Sequence, residues 1–186
     1  DEAAGADDTA VDPGEVGLDA VVIDEVAGAE VVGAVEFVAS ADLLQAKAQL
    51  VAVDGFTVPS VAVGGPLRLH DARHPLLVRQ HAAAEIVPLN IALGDPNHLL
   101  VVTGPNTGGK TVVLKTVGLL SVMAISGVPV PAAEGAQVPF FRTVQVDIGD
   151  EQGISQNLST FSSHVQRIAR CLLQASPDAL LLLDEL

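Results

Sequence analysis

The residues Thr103 to Thr111 read TGPNTGGKT and match the pattern G-x-x-x-x-G-K-[ST] of a phosphate-binding loop. The tight path of GPNTGG turns successive backbone N–H groups toward a β-phosphate, and the helix that follows adds its positive N-terminal end. Lys110 would then bridge the β- and γ-oxygens, and the Thr111 hydroxyl would ligate Mg²⁺. The alternative is a glycine-rich turn with an exposed lysine. The motif predicts a site for a nucleoside triphosphate and its magnesium ion.

A second motif, LLLLDEL, stands at the end of the sequence. Its leucines predict a buried strand that carries Asp184 to the C-terminal edge of a sheet, where ligands bind in open α/β folds. Asp184 can hold Mg²⁺ there through water, and Glu185 is placed to orient the attacking water, as in a hydrolase rather than a transferase. The alternative, two surface carboxylates that end a strand, loses weight because the phosphate-binding loop is in the same chain.

The segment QNLSTF places Ser159 25 residues ahead of Asp184. Ser159 or Thr160 can cap the helix that follows, because a hydroxyl oxygen accepts a hydrogen bond from a backbone N–H of the first turn. A small hydroxyl residue at a helix N-terminus is also a good donor to a phosphate oxygen. If two subunits face each other, Ser159 can reach the nucleotide bound by the partner. The spacing favours the cap and leaves both interpretations open.

Alternating strands and helices must position these residues. The apolar string Leu99–Val102, continued to Thr103, predicts a strand buried on both faces, as in a parallel sheet. The other predicted elements are, in chain order, a short strand and turn in RLHDARHPLL, a strand over 84–93, a turn over 94–97, a helix over 109–127, a Pro-rich connection in GVPVPAAEGAQVPFF, a strand over 143–148, a helix over 159–175 and a strand over 179–184. This order predicts a doubly wound α/β fold, with a central sheet flanked by helices.

The sequence divides into three expected regions. Residues 1–17 are polar, acidic and interrupted by Gly and Pro, which predicts a disordered tail. Residues 18–66 form a helical segment, with apolar residues near helical spacing up to Val53, followed by the loop GFTVPSVAVGG. Residues 67–186 form the compact domain that carries the motifs.

Composition limits the classes of function. The formal net charge of the 186 residues is −14, and such an acidic chain repels a nucleic-acid backbone, so this segment is not expected to grip DNA by itself. No apolar run approaches the roughly 18 to 20 residues that span a bilayer, and the start lacks the features of a signal peptide, which predicts a cytoplasmic protein without membrane contact.

Cys171, the single cysteine, is expected to be a buried inert thiol. The histidines show no spacing typical of a structural metal site, and His74, before Pro75, favours a structural hydrogen bond over catalysis.

Three stretches taken in order resemble the ATPase domain of the MutS family: TGPNTGGKTVVLKTVGLL, DIGDEQGISQNLSTFSSHV and LLLLDEL. They are most similar to its second bacterial and archaeal branch, which is often fused to a small MutS-related nuclease domain. ARHPLL, Ala72 to Leu77, also resembles a stretch just upstream of the nucleotide site in that family. The resemblance covers about Asp42 to Leu186. It implies a P-loop NTPase of the transporter and MutS-like type.

The resemblance also implies roles for individual residues. The loop residues expected to bind ATP phosphates and Mg²⁺ are Gly104, Pro105, Asn106, Thr107, Gly108, Gly109, Lys110 and Thr111. Asp184 is implied as the metal carboxylate and Glu185 as the catalytic base, while Ser159 takes the place of the family's signature serine, which acts in trans across a dimer. Gln152 is implied as a sensor of the γ-phosphate. Ile86 or Val87 is expected to pack on the adenine, where relatives often carry an aromatic residue.

The function expected from this resemblance is ATP binding and hydrolysis that switch a dimeric clamp on double-stranded, mismatched or branched DNA, in repair or restraint of recombination. The DNA-binding and nuclease regions would lie outside this chain, and the homodimer would form through the ATPase face. Because the family continues beyond the LLLLDEL strand, we expect a truncated form with weak binding and little hydrolysis on its own. The alternatives are a transporter-type ATPase, which would carry an LSGGQ-like signature instead of NLSTF, a small-molecule kinase with an Arg-bearing lid, and a non-catalytic nucleotide-binding remnant.

Overall fold

The structure is a computed structural model that describes residues 17–105, 108–148 and 157–184. Residues 1–16 of the expected disordered tail lie outside these ranges. Within them the chain forms helices α1 (Gly17–Ala52), α2 (Pro75–Gln80), α3 (Lys110–Ile125) and α4 (Asn157–Leu173), strands β1 (Ser60–Ala62), β2 (Leu67–Ala72), β3 (Leu89–Leu93), β4 (Gln137–Pro139), β5 (Thr143–Asp147) and β6 (Ala179–Leu183), and a 3₁₀-helix (Ala83–Glu85).

The chain forms two compact units, one ending at Ala46 and the other running from Lys47. The described part of the first unit is residues 17–46 of helix α1, and the full helix, Gly17–Ala52, confirms the helix predicted from Leu18 to Val53. Every side chain from Gly28 to Ala46 is exposed. The division into a tail, a helical segment and an ATPase domain stays a prediction.

The first sheet of the second unit has the strand order β1-β4-β2-β3. β1 pairs with β4 in parallel, whereas β2 pairs with β3 and β4 in antiparallel fashion. Two predictions were wrong here. The segment GFTVPSVAVGG, predicted as a loop, contains β1, and the segment predicted as a Pro-rich connection contains β4. Each strand has only three residues. Three residues are too few to show the alternation of side chains that indicates a strand in a sequence. The two strands are recognised only because they pair with each other in the folded chain.

Two smaller differences between the predicted and the observed elements concern the segments next to β2 and β3. The turn predicted after β2 is the six-residue helix α2, which begins at Pro75, a residue preorganised for the first helical position. The strand predicted over 84–93 is confirmed only for Leu89–Leu93, because Ala83–Glu85 form a 3₁₀ turn.

The second sheet is the parallel pair of β5 and β6, which are connected through α4. Parallel neighbours require such a crossover. Helix α3 contacts both sheets and supplies the buried residues Val117, Leu120 and Ala124 to the core. A Cβ at Gly118 would lie 2.5 Å from Cδ1 of Leu182, so the missing side chain allows α3 to approach β6 closely.

The predicted strand Leu99–Thr103 is wrong in this structure. Residues 98–103 adopt no regular structure, and Leu99, Leu100 and Val101 are 81%, 49% and 68% exposed. An apolar run indicates a tendency to be buried, but a central strand also needs a neighbour on each side. Among the described residues β6 pairs with β5 alone. The mixed α/β class is therefore confirmed, while the single central sheet is replaced by two sheets.

Candidate functional site

The start of α3 shows why the loop before it needs glycine. Gly109 is the N-cap residue of α3 with φ of 81°, and Gly104 has φ of 144°, both in a region that side chains rarely adopt. The backbone N–H of Gly108 donates to the carbonyl of Pro105 at 2.9 Å. Lys110 bends back so that Nζ donates to the carbonyl oxygen of Gly104 at 2.7 Å. The described part of the loop thus wraps in front of the helix N-terminus, where backbone N–H groups and the helix dipole favour anions.

The hydroxyl of Thr111 and the carboxylate of Asp184 are in direct contact. Thr111 Oγ1 donates to Asp184 Oδ2 at 2.7 Å, and the pair is partly buried. Both groups offer oxygen atoms, the ligands that Mg²⁺ prefers, and Mg²⁺ in nucleotide sites takes few protein ligands beside phosphates and water. No group of three or more metal-binding side chains is found in the described ranges. The donor set present suits a magnesium ion shared with a phosphate.

The sheet edge fixes Asp184 through its backbone. Asp184 follows β6 directly, and its N–H donates to the carbonyl of Asp147, the last residue of β5, at 2.9 Å. The parallel register that ends with Asp147 opposite Leu183 brings the carboxyl ends of both strands to this edge. The LLLL strand thus carries Asp184 to the C-terminal edge of the sheet, as predicted. The metal role of Asp184 stays a prediction.

A cleft of about 390 Å³ adjoins the loop. The chain between α2 and β3 forms one wall, and the start of α3 forms the other. Its lining residues are Leu77, His81, Glu85, Ile86, Val87, Pro88, Leu89, Gly108, Gly109, Val112 and Val113. The two residues predicted to contact adenine are both among them. The walls are largely aliphatic, as is common in sites that bind small molecules.

Sequence reasoning missed two polar residues of the cleft. His81 Nδ1 lies 3.6 Å from Glu85 Oε2, with the two side chains 49% and 66% exposed. The available signal was the i, i+4 spacing of His and Glu directly before Ile86, although that spacing alone does not distinguish a surface pair from the rim of a cleft.

His74 lies in α2's N-cap position without a side-chain capping bond. Its Nδ1 is buried and has no hydrogen-bond partner among the described residues, so the predicted structural hydrogen bond is not found at that nitrogen. Burial lowers the pKa of His74, and the positive charge of Lys115 lowers it further. The neutral form of the ring is therefore favoured, because protonation would place a positive charge on a partly buried ring near the positive charge of Lys115.

Several predicted site residues cannot be compared with the geometry. Asn106, Thr107, Gln152 and Glu185 lie outside the described residues. Ser159 is the third residue of α4, whose side chains are described only from Val165 onward. Because α4 begins at Asn157, Ser159 and Thr160 are inside the first turn, and the interpretation of either residue as the N-cap was wrong. The one cysteine, Cys171, is buried as expected.

The described helices do not include one that is both long enough and apolar enough to cross a membrane. This agrees with the lack of a long apolar run in the sequence.

Comparison with known proteins identifies the family. Residues 100–186 match the family model of MutS domain V. The chain is 50% identical over 168 residues to an Endonuclease MutS2 of Thermomicrobium roseum, covering 84% of this chain and 21% of that protein. It is 48% identical over 151 residues to an Endonuclease MutS2 of Clostridium acetobutylicum, covering 81% of this chain and 19% of that protein. The chain thus spans about a fifth of the length of these relatives.

The resemblance inferred from the three motifs is confirmed by these matches, which extend over the phosphate-binding loop, α4 and β6. The chain therefore belongs to the MutS family, in its MutS2 branch.

Proposed function

We propose that this chain binds ATP with Mg²⁺ at residues 104–111 and hydrolyses it within a dimer, as the ATPase part of a MutS2-like protein in DNA repair or in restraint of recombination. The single observation that carries the proposal is the 2.7 Å contact between Thr111 and Asp184. Two motifs that are far apart in sequence meet at the N-terminus of α3, where the loop offers backbone N–H groups and Lys110 offers a positive charge.

The bound magnesium would supply positive charge that neutralises the phosphates, with Thr111 and Asp184 as the residues that hold it. Lys110 would leave the carbonyl of Gly104 and turn to the β- and γ-oxygens. This exchange costs little, because one hydrogen bond to a carbonyl is replaced by charge-assisted bonds to phosphate. The remaining loop residues from Gly104 to Gly109, except Pro105, which has no backbone N–H, would wrap the β-phosphate with their N–H groups.

The base of the nucleotide would lie in the cleft, between Ile86 and Val87 on one wall and Val112 and Val113 on the other. Aliphatic walls bind a base through its faces and contribute little to discrimination between adenine and guanine. The identity of the base would then depend on polar groups at the rim, among which His81 and Glu85 are the described side chains.

Hydrolysis requires residues in addition to those that would bind the phosphates, the magnesium ion and the base. By the family pattern Glu185 would orient the attacking water, Gln152 would sense the γ-phosphate, and Ser159 of a facing subunit would donate to that phosphate. Ser159 in the first turn of α4 supports the last role, since backbone N–H groups of a first turn point at the same anion. A monomer would bind ATP and turn it over slowly, because the facing serine would be missing.

DNA would be contacted by other parts of such a protein. The relatives are named endonucleases, and this chain covers about a fifth of them. A net charge of −14 gives this segment little attraction for a phosphate backbone. We infer mismatched or branched double-stranded DNA as the partner of the whole protein, with the ATPase face as its homodimer contact and the cytoplasm as its location.

Titration of the 186-residue chain with a fluorescent ATP analogue, with Mg²⁺ and with EDTA, tests the binding site. We expect saturable binding that Mg²⁺ strengthens and that unlabelled ATP reverses. Binding that is equal with and without Mg²⁺, or that ATP does not displace, would contradict the proposal.

A complementation assay tests the role of Ser159 in trans. Ser159→Ala keeps its own phosphate-binding loop, whereas Lys110→Met keeps its own serine. If each serine serves the partner's nucleotide, a mixture of the two variants forms one intact site per heterodimer and hydrolyses ATP faster than either variant alone. A mixture no faster than the sum of its parts would contradict the trans role. The same mixture separates hydrolysis from the alternative of nucleotide binding without turnover.

A further inference from the structure

A second polar contact connects α4 to the end of β5, next to the proposed metal site. Arg167 Nε donates to Asp147 Oδ1 at 2.9 Å. The side chain of Asp147 is 10% exposed and that of Arg167 is 42% exposed. Because the carboxylate is largely shielded from water, this pair is screened less than a surface ion pair. Removing the arginine leaves a nearly buried negative charge without that partner, which is the costly way to break such a pair.

Asp147 takes part in two contacts at once. Its carboxylate binds α4 through Arg167, and its backbone carbonyl accepts the N–H of Asp184 at 2.9 Å. Asp184 in turn accepts the hydroxyl of Thr111 at 2.7 Å. A continuous chain of contacts thus connects α4, the ends of β5 and β6, and the first turn of α3. Each link is a hydrogen bond of ordinary length.

We propose that Arg167 is a positioning residue for the metal site: by holding the carboxylate of Asp147, it fixes the ends of β5 and β6 and thereby the Asp184 carboxylate beside Thr111. The inference rests on the proposed function, since it assigns Arg167 to the same Mg²⁺·ATP site.

The position of Arg167 on α4 extends the argument to the serine. Ser159 lies eight residues earlier on the same helix, which is about 12 Å along its axis. Because the ion pair holds α4 at Arg167, it also fixes the orientation of the first turn of this helix. The ion pair therefore links the direction of the serine-bearing turn to the position of the metal-binding carboxylate.

A purely structural role is the competing explanation, and a second, more exposed arginine–carboxylate pair, with side chains 81% and 41% exposed, provides a control for the loss of charge. Arg142 Nε donates to Asp178 Oδ2 at 3.0 Å, a pair of the same chemistry at the opposite end of β5. Arg142 precedes Thr143, the first residue of that strand, whereas Asp147 is the last. Loss of either arginine removes one positive charge and one contact, which for Arg167 is to Asp147 in β5 and for Arg142 is to Asp178, the residue before β6. Only loss of Arg167 is expected to reach the metal.

The experiment measures binding of Mn²⁺, as a paramagnetic substitute for Mg²⁺, by electron paramagnetic resonance in the presence of a non-hydrolysable ATP analogue. Removal of a residue that orients a metal ligand commonly weakens metal binding by about 10- to 100-fold. Arg167 acts one contact further out, so we expect Arg167→Ala to raise the Mn²⁺ Kd roughly three- to tenfold. Arg167→Lys keeps the charge and is expected to restore part of the loss. Arg142→Ala should leave the Mn²⁺ Kd unchanged.

Affinity for the fluorescent nucleotide in EDTA serves as the second readout, and it should be the same for wild type, Arg167→Ala and Arg142→Ala. If Arg167→Ala fails to fold by circular dichroism, Asp147→Asn replaces it, because the asparagine keeps the backbone bond to Asp184 and removes only the charge. An unchanged Mn²⁺ Kd, or an equal loss in Arg142→Ala, would overturn the positioning role while nucleotide binding stands. A wild-type chain that binds no nucleotide in either condition would overturn the proposed function itself.

Discussion

The hydroxyl of Thr111 donates a 2.7 Å hydrogen bond to the carboxylate of Asp184, across 73 positions of sequence. Thr111 belongs to the first turn of α3 and Asp184 to the end of β6, so the contact joins a helix N-terminus to a sheet edge. A hydroxyl and a carboxylate that share a hydrogen bond can exchange it for a common cation with little movement of the backbone. This relationship motivates the first prediction.

Asp184→Asn should weaken Mg²⁺ binding by about 10- to 100-fold while binding of ATP in EDTA stays within about twofold. The asparagine still accepts the Thr111 hydrogen bond, so the fold is preserved, but the negative charge that attracts the cation is lost. Calorimetric titration of Mg²⁺ into the chain saturated with a non-hydrolysable ATP analogue measures the change. Thr111→Ser, which keeps the hydroxyl, is the control and should bind Mg²⁺ nearly normally, and Thr111→Val should not. Similar Mg²⁺ affinities for Thr111→Ser and Thr111→Val would speak against metal ligation by this hydroxyl.

Lys110→Met should lower the affinity for ATP by at least about tenfold, since charge-assisted hydrogen bonds to phosphate contribute about 1.5–3 kcal/mol. Lys115→Met is the matched control. It makes the same change of charge and size five positions later on α3, beyond the first turn. Fluorescent ATP titration compares the two variants. An equal loss for both would mean that overall charge, rather than contact with phosphate, governs the affinity.

Val87→Phe should strengthen nucleotide binding about fivefold, because an aromatic ring stacked on a base contributes about 0.5–1.5 kcal/mol beyond the area that it buries. Val87 lines the cleft and is 88% exposed, so the larger side chain meets no core packing. Val63→Phe is the control, since Val63 is 91% exposed and is not among the residues that line the cleft. Competition titrations with ATP measure both. A gain for Val63→Phe of the same size, or none for Val87→Phe, would place the base elsewhere.

His74 should make the free energy of unfolding fall as the solution becomes acidic. Burial, and then the charge of Lys115, lowers the pKa of His74 in the folded chain. As the pH drops below about 6.5, the unfolded chain takes up this proton first, so it binds more protons than the folded chain and stability decreases. The decrease continues until the pH passes the lowered pKa of the folded chain.

The variant His74→Gln isolates this contribution, because glutamine is polar, neutral and of similar size. Urea unfolding at pH about 7.5, 6.5 and 5.5 should show a smaller decrease for the variant than for the wild type. The variant His98→Gln is the control, since His98 is exposed in a segment without regular structure, and this variant should follow the wild type. A parallel decrease in wild type and His74→Gln would assign the pH dependence to other groups.

The sequence predicted the elements that carry the motifs better than the sheets around them. Helices α3 and α4 and strand β6 were recognised because each combines a strong local pattern with chemistry, whereas the direct hydrogen bond between Thr111 and Asp184 was not predicted. β1 and β4 were missed because three residues show no period, and their pairing is set by residues far away in sequence. The apolar run before the loop was predicted as a central strand because hydrophobicity reports a preference for burial and contains no information on neighbouring strands.

Residues of the rim and of the arginine contacts could not be inferred from the sequence. His81 and Glu85 carry an i, i+4 spacing that surface pairs share. Arg167 and Asp147 lie 20 positions apart, and only the crossover of α4 brings them together. Such pairs form only in the folded chain, because the order of the strands in a sheet determines which strand ends lie next to each other.

The close approach of α3 to β6 at Gly118 and Leu182 has a consequence for the distance between Thr111 and Asp184. Thr111 lies two helical turns before Gly118, and Asp184 lies two residues after Leu182. We expect any larger residue at position 118 to push α3 away from β6, because its Cβ would meet the Leu182 side chain. The hydroxyl and the carboxylate would then move apart, so the spacing of these two oxygen donors depends on a glycine outside the phosphate-binding loop.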